Sequence, residues 1–357
     1  MALVPLQLIG RISEHERDIF WKNDLPSSVS LCRPIKLIFL KESAQLTRNE
    51  VEKVRDQIKN LRPTEILQDG RTITVYSSLI LSMMDTKVVN DLTETNSQSC
   101  SFCGKSGKNL NDATNDLNET NAEKFSRGFS PLHCYIRTME LFLKVAYRLE
   151  MEKPTWRVAK SNEAVRQREA TIRAEIKRRL GLRISEPLPS GGNSNDGNTS
   201  RKFFKEWRTI CEITGLNEDL LERMYIILVI INCKSDINVE VFQNYLETTR
   251  KLYISLYGWY PLSPTLHKIL VHGGAIAKHS TVPVGMLSEE ALETRNKSIR
   301  KFREFHSRKF SRTANIEDVF QRLLLTSDPV ISLMNRKNSD SPLNSLPAKA
   351  QELVILN

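Results

Sequence analysis

Two cysteines and two histidines have the types and spacings of a metal site. Cys100 and Cys103 form a C-x-x-C pair, and His267 and His272 lie five residues apart in HKILVH. Thiolate sulfur together with imidazole nitrogen favours zinc over calcium or magnesium. The spacing alone leaves open either a joint structural zinc site or a C-x-x-C pair unrelated to two ordinary helical histidines. A joint site would tie a loop to a helix that lies far along the chain.

Two carboxylates could bind divalent metal ions for chemistry on phosphodiester bonds. That chemistry needs several oxygen ligands that converge on one point. Asp85 ends an apolar and hydroxyl-rich run with Lys87 just beyond it, and Glu293 begins a helix whose next turns are rich in Lys and Arg. Each carboxylate also has an ordinary interpretation. Asp often caps a turn or a helix, and Glu in a first helical turn interacts favourably with the helix dipole.

Charge and cysteine content limit the classes of partner and compartment. The 357 residues include 52 Lys and Arg against 42 Asp and Glu, a formal charge of +10 that favours a polyanion such as nucleic acid. No apolar run approaches the roughly 20 residues of a membrane span, so we predict no membrane partner. We recognise no secretion signal, and the scattered cysteines then indicate reduced thiols.

The first third of the chain is predicted to hold strands as well as a helix. Residues 34–41 and 72–85 are strand candidates because they are rich in apolar and β-branched residues, and residues 3–10 offer a further strand. Between them, residues 47–62 repeat apolar positions at helical spacing. The stretch from residue 90 to 130 is polar and is predicted to be a loop that carries the C-x-x-C pair.

From Pro131 onward the sequence predicts helices almost to its end. Apolar residues recur three or four positions apart in the segments 132–151, 163–180, 217–232 and 238–258. The turn formers of residues 185–200 interrupt these helices, and further helices follow Ser288. His133, at an apolar helix start, is predicted to be a capped or core histidine. The pattern favours an α+β fold that is predominantly helical.

Four motifs occur in an order that resembles one known family. They are MMDTKVVNDL around Asp85, the following CSFC, HKILVH, and GMLSEEALETRNKSIRKFRE around Glu293, with weaker matches in LHCYIR and NDGNTSRKFF. In this order and spacing, residues 30–330 resemble the catalytic cores of the V(D)J recombination-activating protein 1 and Transib-type transposase family.

The resemblance implies an incomplete RNase H-like core that is split by a large zinc-clamped helical insertion. The core would comprise residues 1–95 and 283–330, and the insertion residues 96–282, while composition predicts a disordered tail at residues 331–357. Asp85 resembles the second and Glu293 the last of three carboxylates that bind Mg²⁺ or Mn²⁺ in the family. The Cys and His residues of the C-x-x-C and HKILVH motifs match the family's zinc ligands.

The family also implies DNA as the partner. Its members nick DNA and then use the freed 3′ hydroxyl in a second in-line attack. The residues expected to contact DNA are Lys87, Arg201, Lys297, Arg300, Lys301 and Arg303. By the same resemblance we expect a nuclear location and a homodimer.

The chain departs from the family near its start. In the family, the first catalytic Asp lies on a strand upstream of the segment that CRPIKLIFLKES resembles, and no strand predicted here presents that Asp. The family's terminal-repeat-binding domain has no counterpart either. We therefore expect an N-terminally truncated DNA recombinase or endonuclease whose ancestral two-metal nicking and strand transfer are impaired. The alternative is a non-catalytic, zinc-stabilised DNA-binding or assembly protein.

Overall fold

The structure is a computed structural model that combines small antiparallel sheets with a large helical block. It describes residues 1–11, 17–80, 84, 86–113, 125, 127–128, 130–157, 162–185, 195–334 and 346–355.

The first 80 residues form small sheets rather than one large sheet. Among the described residues the pairs are β1 (Ala2–Leu3) with β4 (Arg33–Pro34), β2 (Gln7–Arg11) with β3 (Arg17–Lys22), and β5 (Thr64–Gln68) with β6 (Arg71–Val75). The β5–β6 hairpin turns at Asp69 and Gly70, which both have positive φ, 50° and 77°. Asp-Gly favours such a turn because both residues tolerate the left-handed conformation.

Two helices, α1 (Ala44–Lys59) and α2 (Thr86–Thr93), pack against each other in this part of the chain. Ser43 caps α1, since its side chain accepts a hydrogen bond from a backbone N–H of the first turn at 3.2 Å. The helix predicted at residues 47–62 is thus confirmed, although it begins and ends three residues earlier.

The chain beyond residue 130 is mainly helical. The helices are α3 (Pro131–Ala146), α4 (Glu163–Leu180), α5 (Gly197–Lys205), α6 (Trp207–Thr214), α7 (Glu218–Asn232), α8 (Val239–Tyr257), α9 (Pro264–His279), α10 (Glu290–Phe305), α11 (Arg312–Leu325), α12 (Pro329–Met334) and α13 (Ala348–Gln351). The side chains of Asn162, Asn217 and Asn238 cap α4, α7 and α8. The four helices predicted from periodicity are confirmed, although the one predicted at residues 132–151 ends at Ala146. The predominantly helical character of the protein is confirmed with them.

One continuous apolar core is built mainly from α3 to α9, which we call the helical block, and residues of neighbouring segments such as Phe102, Leu110 and Leu353 pack into it. Phe142, Phe203 and Tyr253 are fully buried in it. Phe142 meets Phe204 and Tyr253 edge-on, with ring centroids 6.4 Å and 6.1 Å apart. Such edge-to-face contacts add specific geometry to the apolar burial. The core therefore gives α9, the helix with both predicted histidine ligands, a firm support.

The helices α10 and α11 attach the first third of the chain. Arg295 on α10 is buried and donates hydrogen bonds to the carbonyl oxygens of Val29 at 2.6 Å, Cys32 at 3.2 Å and Thr326 at 3.1 Å. The planar guanidinium can satisfy several carbonyls at once because it carries five donors. Arg295 thus joins α10 to the N-terminal segment and to the end of α11.

The C-terminal segment differs from the disordered tail predicted for residues 331–357. Val354 forms a β-bridge with Ile237, and the backbone N–H of Ile355 donates to Asp236 O at 2.7 Å. Leu353 and Val354 are buried. These apolar residues anchor the segment, whereas the prediction weighed the Ser, Asn and Pro content. Residues 335–345 and 356–357 lie outside the described part of the chain.

The strand predictions for the first third hold only in part. The strand predicted at residues 34–41 is wrong, because residues 35–41 are irregular and Leu40 is 66% exposed. The strand predicted at 72–85 ends at Val75, and its residues 81–83 and 85 lie outside the described ones. In the described chain the largest sheet has two strands, so the RNase H-like core stays a prediction.

Candidate metal centre

Cys100 and Cys103 lie on a tight turn that follows α2. The backbone N–H of Cys100 donates to Lys105 O, and that of Gly104 donates to Cys100 O, both at 2.8 Å. Gly104 has a φ of +74°, a conformation that residues with a Cβ rarely adopt. We call residues 100–105 the cysteine turn. A Gly directly after the second Cys is the sequence signal for this turn, in addition to the C-x-x-C spacing.

The two histidines face the cysteine turn from α9. Ser263 caps this helix by accepting a hydrogen bond from Leu266 N at 3.1 Å. His267 and His272 are fully buried, and their ring centroids lie 5.1 Å apart. Gly274 allows α8 to lie close to α9, because a Cβ at this position would come within 2.0 Å of a side-chain oxygen on α8.

His267 is oriented by the backbone that follows the cysteine turn. Its Nδ1 lies 2.6 Å from the carbonyl oxygen of Leu110, in the 3₁₀ helix Gly107–Asn111. Its Nε2 lies 3.3 Å from Cys103 Sγ. A carbonyl that holds one ring nitrogen fixes which nitrogen faces a metal. His267 is therefore held with Nε2 toward the thiols.

The four side chains converge on one point. Their ligand atoms all lie within 4.8 Å of one another. Tetrahedral zinc, with bonds of about 2.3 Å to sulfur and 2.0 Å to nitrogen, separates its ligand atoms by about 3.5 Å. Neither ring nitrogen of His272 has a hydrogen-bond partner among the described residues, although both nitrogens are buried. Buried polar atoms are normally paired, and a metal ion bound by His272 would supply the missing partner of one ring nitrogen.

The protonation states of the cluster also fit a cation. Hydrogen bonds from Cys100 and from the His267 imidazole hold the pKa of the Cys103 thiol well below its ordinary value. The hydrogen bond to Cys103, together with burial, raises the pKa of Cys100. Burial lowers the pKa of His272 and favours its neutral form. A bound cation would deprotonate the second thiol too. The cluster can therefore hold a metal ion, and its donor set is compatible with structural zinc.

The predicted catalytic residue Asp85 lies outside the described residues, but its chain neighbours are described. Met84 and Thr86 line a cavity together with Phe102, Ser130 and other residues. Phe102 stands between the two cysteines, so this cavity borders the cysteine turn. Met84 and Thr86, the described neighbours of Asp85, therefore lie beside the candidate metal centre.

Glu293 lies in the first turn of α10, and its Oε1 is 3.9 Å from His133 Nε2. His133 Nδ1 lies 2.9 Å from Oε1 of Glu289 and 2.7 Å from Ser130 Oγ. Glu289 is buried and also accepts a hydrogen bond from the Ser130 hydroxyl. Because Ser130 lines the cavity beside Met84, this chain of contacts joins the cavity to Glu293.

Only part of this arrangement has a signal in the sequence. Ser130 and Pro131 give an ordinary helix-start signal, and Ser130 indeed caps α3. His133, predicted to be a capped or core histidine, contacts the capping Ser130. Nothing in the sequence indicates that Glu289 is buried while its neighbour Glu290 is not.

The cations predicted to contact DNA on α10 are accessible. Lys297, Arg300, Lys301 and Arg303 are all exposed. The guanidinium of Arg303 lies 4.8 Å from the centroid of the Phe39 ring. These residues form a positive face on α10 that starts one turn beyond Glu293.

The other two predicted cations have acidic partners within the chain. Lys87 forms an ion pair with Glu42. Arg201 forms an ion pair with Glu290, and its guanidinium lies 5.6 Å from the centroid of the Tyr135 ring. Arg201 thereby connects α5 to the start of α10, so its contacts link the helical block to the helix that carries Glu293.

Comparisons with known proteins add no relative. No protein-family model matches the chain, and no curated protein matches it. Within the described ranges, no helix combines the length and apolar character needed to cross a membrane.

Proposed function

We propose that this protein is a zinc-stabilised, DNA-processing protein of the V(D)J recombination-activating protein 1 and Transib transposase type. In this proposal Cys100, Cys103, His267 and His272 bind one structural zinc ion. The ion clamps the cysteine turn to α9. Asp85 and Glu293 bind Mg²⁺ or Mn²⁺ in an RNase H-like core.

The observation that carries the proposal is the convergence of segments that are far apart in sequence. Met84 and Thr86, on either side of Asp85, line the same cavity as Ser130. Ser130 is connected through His133 to Glu293. More than 200 residues separate these segments in the chain. The order of motifs that resembles the family requires this proximity, and an unrelated helical scaffold would not.

The chemistry follows from the ligand types. Divalent Mg²⁺ or Mn²⁺ prefers carboxylate oxygens and supplies charge stabilisation at the phosphate that reacts. The exposed cations of α10 would hold the adjacent phosphates. His133, with Nδ1 held by Glu289, would keep a ring nitrogen directed at Glu293 and so fix the position of that carboxylate.

A second candidate function is a non-catalytic DNA-binding or assembly protein with the same zinc clamp. The internal ion pairs of Lys87 and Arg201 favour it, because both cations are then less available to phosphates. In this case Asp85 and Glu293 would bind no divalent ion.

The two candidates differ in Mn²⁺-dependent nicking of plasmid DNA. We would compare the unaltered chain with Asp85→Asn, Glu293→Gln and the matched control Glu304→Gln, which removes an exposed carboxylate from the last turn of α10. Zinc content and the melting temperature should be the same in all four proteins.

The proposal expects weak nicking by the unaltered chain and by Glu304→Gln, and none above background by the other two. Electron paramagnetic resonance should show Mn²⁺ bound by the unaltered chain and by Glu304→Gln, and weaker binding by Asp85→Asn and Glu293→Gln. If all four proteins nick equally and bind Mn²⁺ equally, Asp85 and Glu293 do not form a metal site, and the second candidate replaces the first.

A further inference from the structure

Two phenylalanines are exposed where α10 turns into α11. Phe305, the last residue of α10, is 68% exposed, and Phe310, just before α11, is 77% exposed. We call residues 305–311 the α10–α11 turn. A single exposed apolar side chain is ordinary, but two large rings on one short turn mark an interaction surface.

The α10–α11 turn is held rigidly by side chains of α11. Asn315 Nδ2 donates to Ser307 Oγ at 2.6 Å and to Arg308 O at 3.1 Å. Arg322 Nε donates to His306 O at 2.7 Å. These bonds fix the backbone between the two rings. A surface that is already ordered loses less conformational entropy when it binds a partner.

Arg308 is held in place beside one of the rings. Its backbone N–H donates to Asp318 Oδ2 at 2.8 Å, and its Nη2 donates to Asp318 Oδ1 at 2.8 Å. Its guanidinium lies 5.6 Å from the centroid of the Phe310 ring. Arg308 thus presents a planar cation next to an exposed aromatic face.

The surroundings of the turn are strongly basic. The exposed cations from residue 297 to 312 are Lys297, Arg300, Lys301, Arg303, Lys309 and Arg312, together with Arg308, whose charge is paired with that of Asp318. The only carboxylate in this stretch of sequence is Glu304. Such a density of cations attracts a polymer of phosphates. Exposed rings among phosphate-binding cations are the combination that binds unpaired bases, because every base has a face that can stack.

We propose that the α10–α11 turn binds single-stranded DNA, with bases stacked on Phe305 and Phe310 and phosphates held by the cations around them. The choice of DNA rests on the proposed function, whereas the choice of a single strand rests on the exposed rings. A duplex keeps its base faces stacked and so offers only phosphates to this surface. The turn would therefore hold a strand that is freed when DNA is opened or cut.

The test is fluorescence anisotropy with the full chain and a labelled oligothymidylate, its abasic counterpart, and a duplex of the same length. The variants are Phe305→Ala and Phe310→Ala, with Phe310→Trp as the conservative change. Tyr76→Ala is the matched control, since Tyr76 is 78% exposed and lies outside the basic stretch.

We expect each Phe→Ala change to weaken binding of oligothymidylate about fivefold or more, as the loss of one stacked base does elsewhere. Binding of the duplex and of the abasic strand should change less than about twofold, because their contacts are to phosphates. Phe310→Trp should retain affinity, and Tyr76→Ala should behave as the unaltered chain does.

Three results would overturn this assignment. The first is that the Phe→Ala changes weaken binding of oligothymidylate and of duplex equally. The second is that neither Phe→Ala change alters the affinity for oligothymidylate. The third is that these changes weaken only the binding of the protein to vesicles of anionic phospholipid. A single-stranded RNA that binds at least about tenfold tighter than the DNA would also overturn the choice of DNA. Asp85→Asn and Glu293→Gln separate this inference from the catalytic proposal, because neither change should affect strand binding.

Discussion

The helical block and the first 80 residues bury their apolar side chains to very different extents. Phe142 and Phe203 in the block are fully buried, whereas Leu67 of β5 and Tyr76 just beyond β6 are 76% and 78% exposed. Burial of apolar surface supplies most of the free energy of folding. We therefore expect the block to carry the stability of the chain, and the first 80 residues to depend on what holds them to it.

The metal centre should increase the difference in stability between the helical block and the first 80 residues. It joins α9, within the block, to the cysteine turn, which lies outside it in a polar stretch. The first 80 residues are attached instead by hydrogen bonds, those of Arg295 in particular, and by a small apolar contact of Leu6 and Ile80 with Val282 and its neighbours. Metal–ligand bonds and a large apolar core should resist unfolding more than a few hydrogen bonds and a small apolar contact do.

The largest expected effect is that of removing the metal. His272→Ala should lower the melting temperature by about 10 °C or more and abolish bound zinc, because a structural metal contributes folding free energy directly. Cys233→Ser is the matched control, since Cys233 is a half-buried thiol outside the cluster. Calorimetry with zinc analysis checks both. Equal melting temperatures for the two variants would contradict a structural role for the metal.

A direct comparison of the two regions uses one truncation in each. Phe142→Ala should lower the free energy of unfolding by about 3–5 kcal/mol, because it leaves a cavity in the core. Leu67→Ala should cost less than about 0.5 kcal/mol, since its side chain gains little from burial. Urea denaturation followed by circular dichroism gives both values. Similar losses would show that the first 80 residues are packed as tightly as the block.

The attachment of the N-terminal segment should depend on Arg295. Replacing it by Met leaves carbonyl oxygens of Val29 and Cys32 without their donor, a loss of about 1–3 kcal/mol. Hydrogen exchange should accelerate around residues 29–34 and remain slow in α7. Lys297→Met, an exposed change on the same helix, should leave the exchange pattern unaltered. Uniform acceleration in both regions would remove the distinction between them.

The smallest expected effect is a pH dependence of the α10–α11 turn. Hydrogen bonds from Arg308 lower the pKa of Asp318 in the folded chain. The ionised carboxylate is therefore favoured by folding. Its contribution to stability is complete above the pKa of Asp in the unfolded chain, about 3.9. That contribution is lost as the pH falls through the lower pKa of Asp318 in the folded chain. Amide exchange at Arg308 should accelerate in that range, and Asp318→Asn should remove the dependence.

The sequence predicted the helical block and the ligand set better than it predicted the first third. Periodic apolar residues and Asn caps determine α4, α7 and α8 locally, so their bounds follow from pattern alone. Cys100 and Cys103, followed directly by Gly104, likewise indicate a turn from local sequence. Residues 35–41 are apolar but remain irregular, because strand formation needs a partner strand that no local pattern reveals.

Contacts between segments that are distant in the chain could not be predicted from the sequence either. Nothing local indicates that Glu289 is buried against His133 while Glu290 pairs with Arg201, since both are acidic neighbours at the start of one helix. The burial of Leu353 and Val354 depends on docking against the loop before α8. Such outcomes are decided by tertiary packing rather than by residue type.

The most direct test of the central claim is X-ray absorption at the zinc edge of the purified chain. The zinc clamp predicts one ion with two sulfur ligands at about 2.3 Å and two nitrogen ligands at about 2.0 Å. Cys100→Ser should lose the ion or one sulfur ligand. A shell of only oxygen and nitrogen, or a folded chain that binds no zinc, would contradict the clamp.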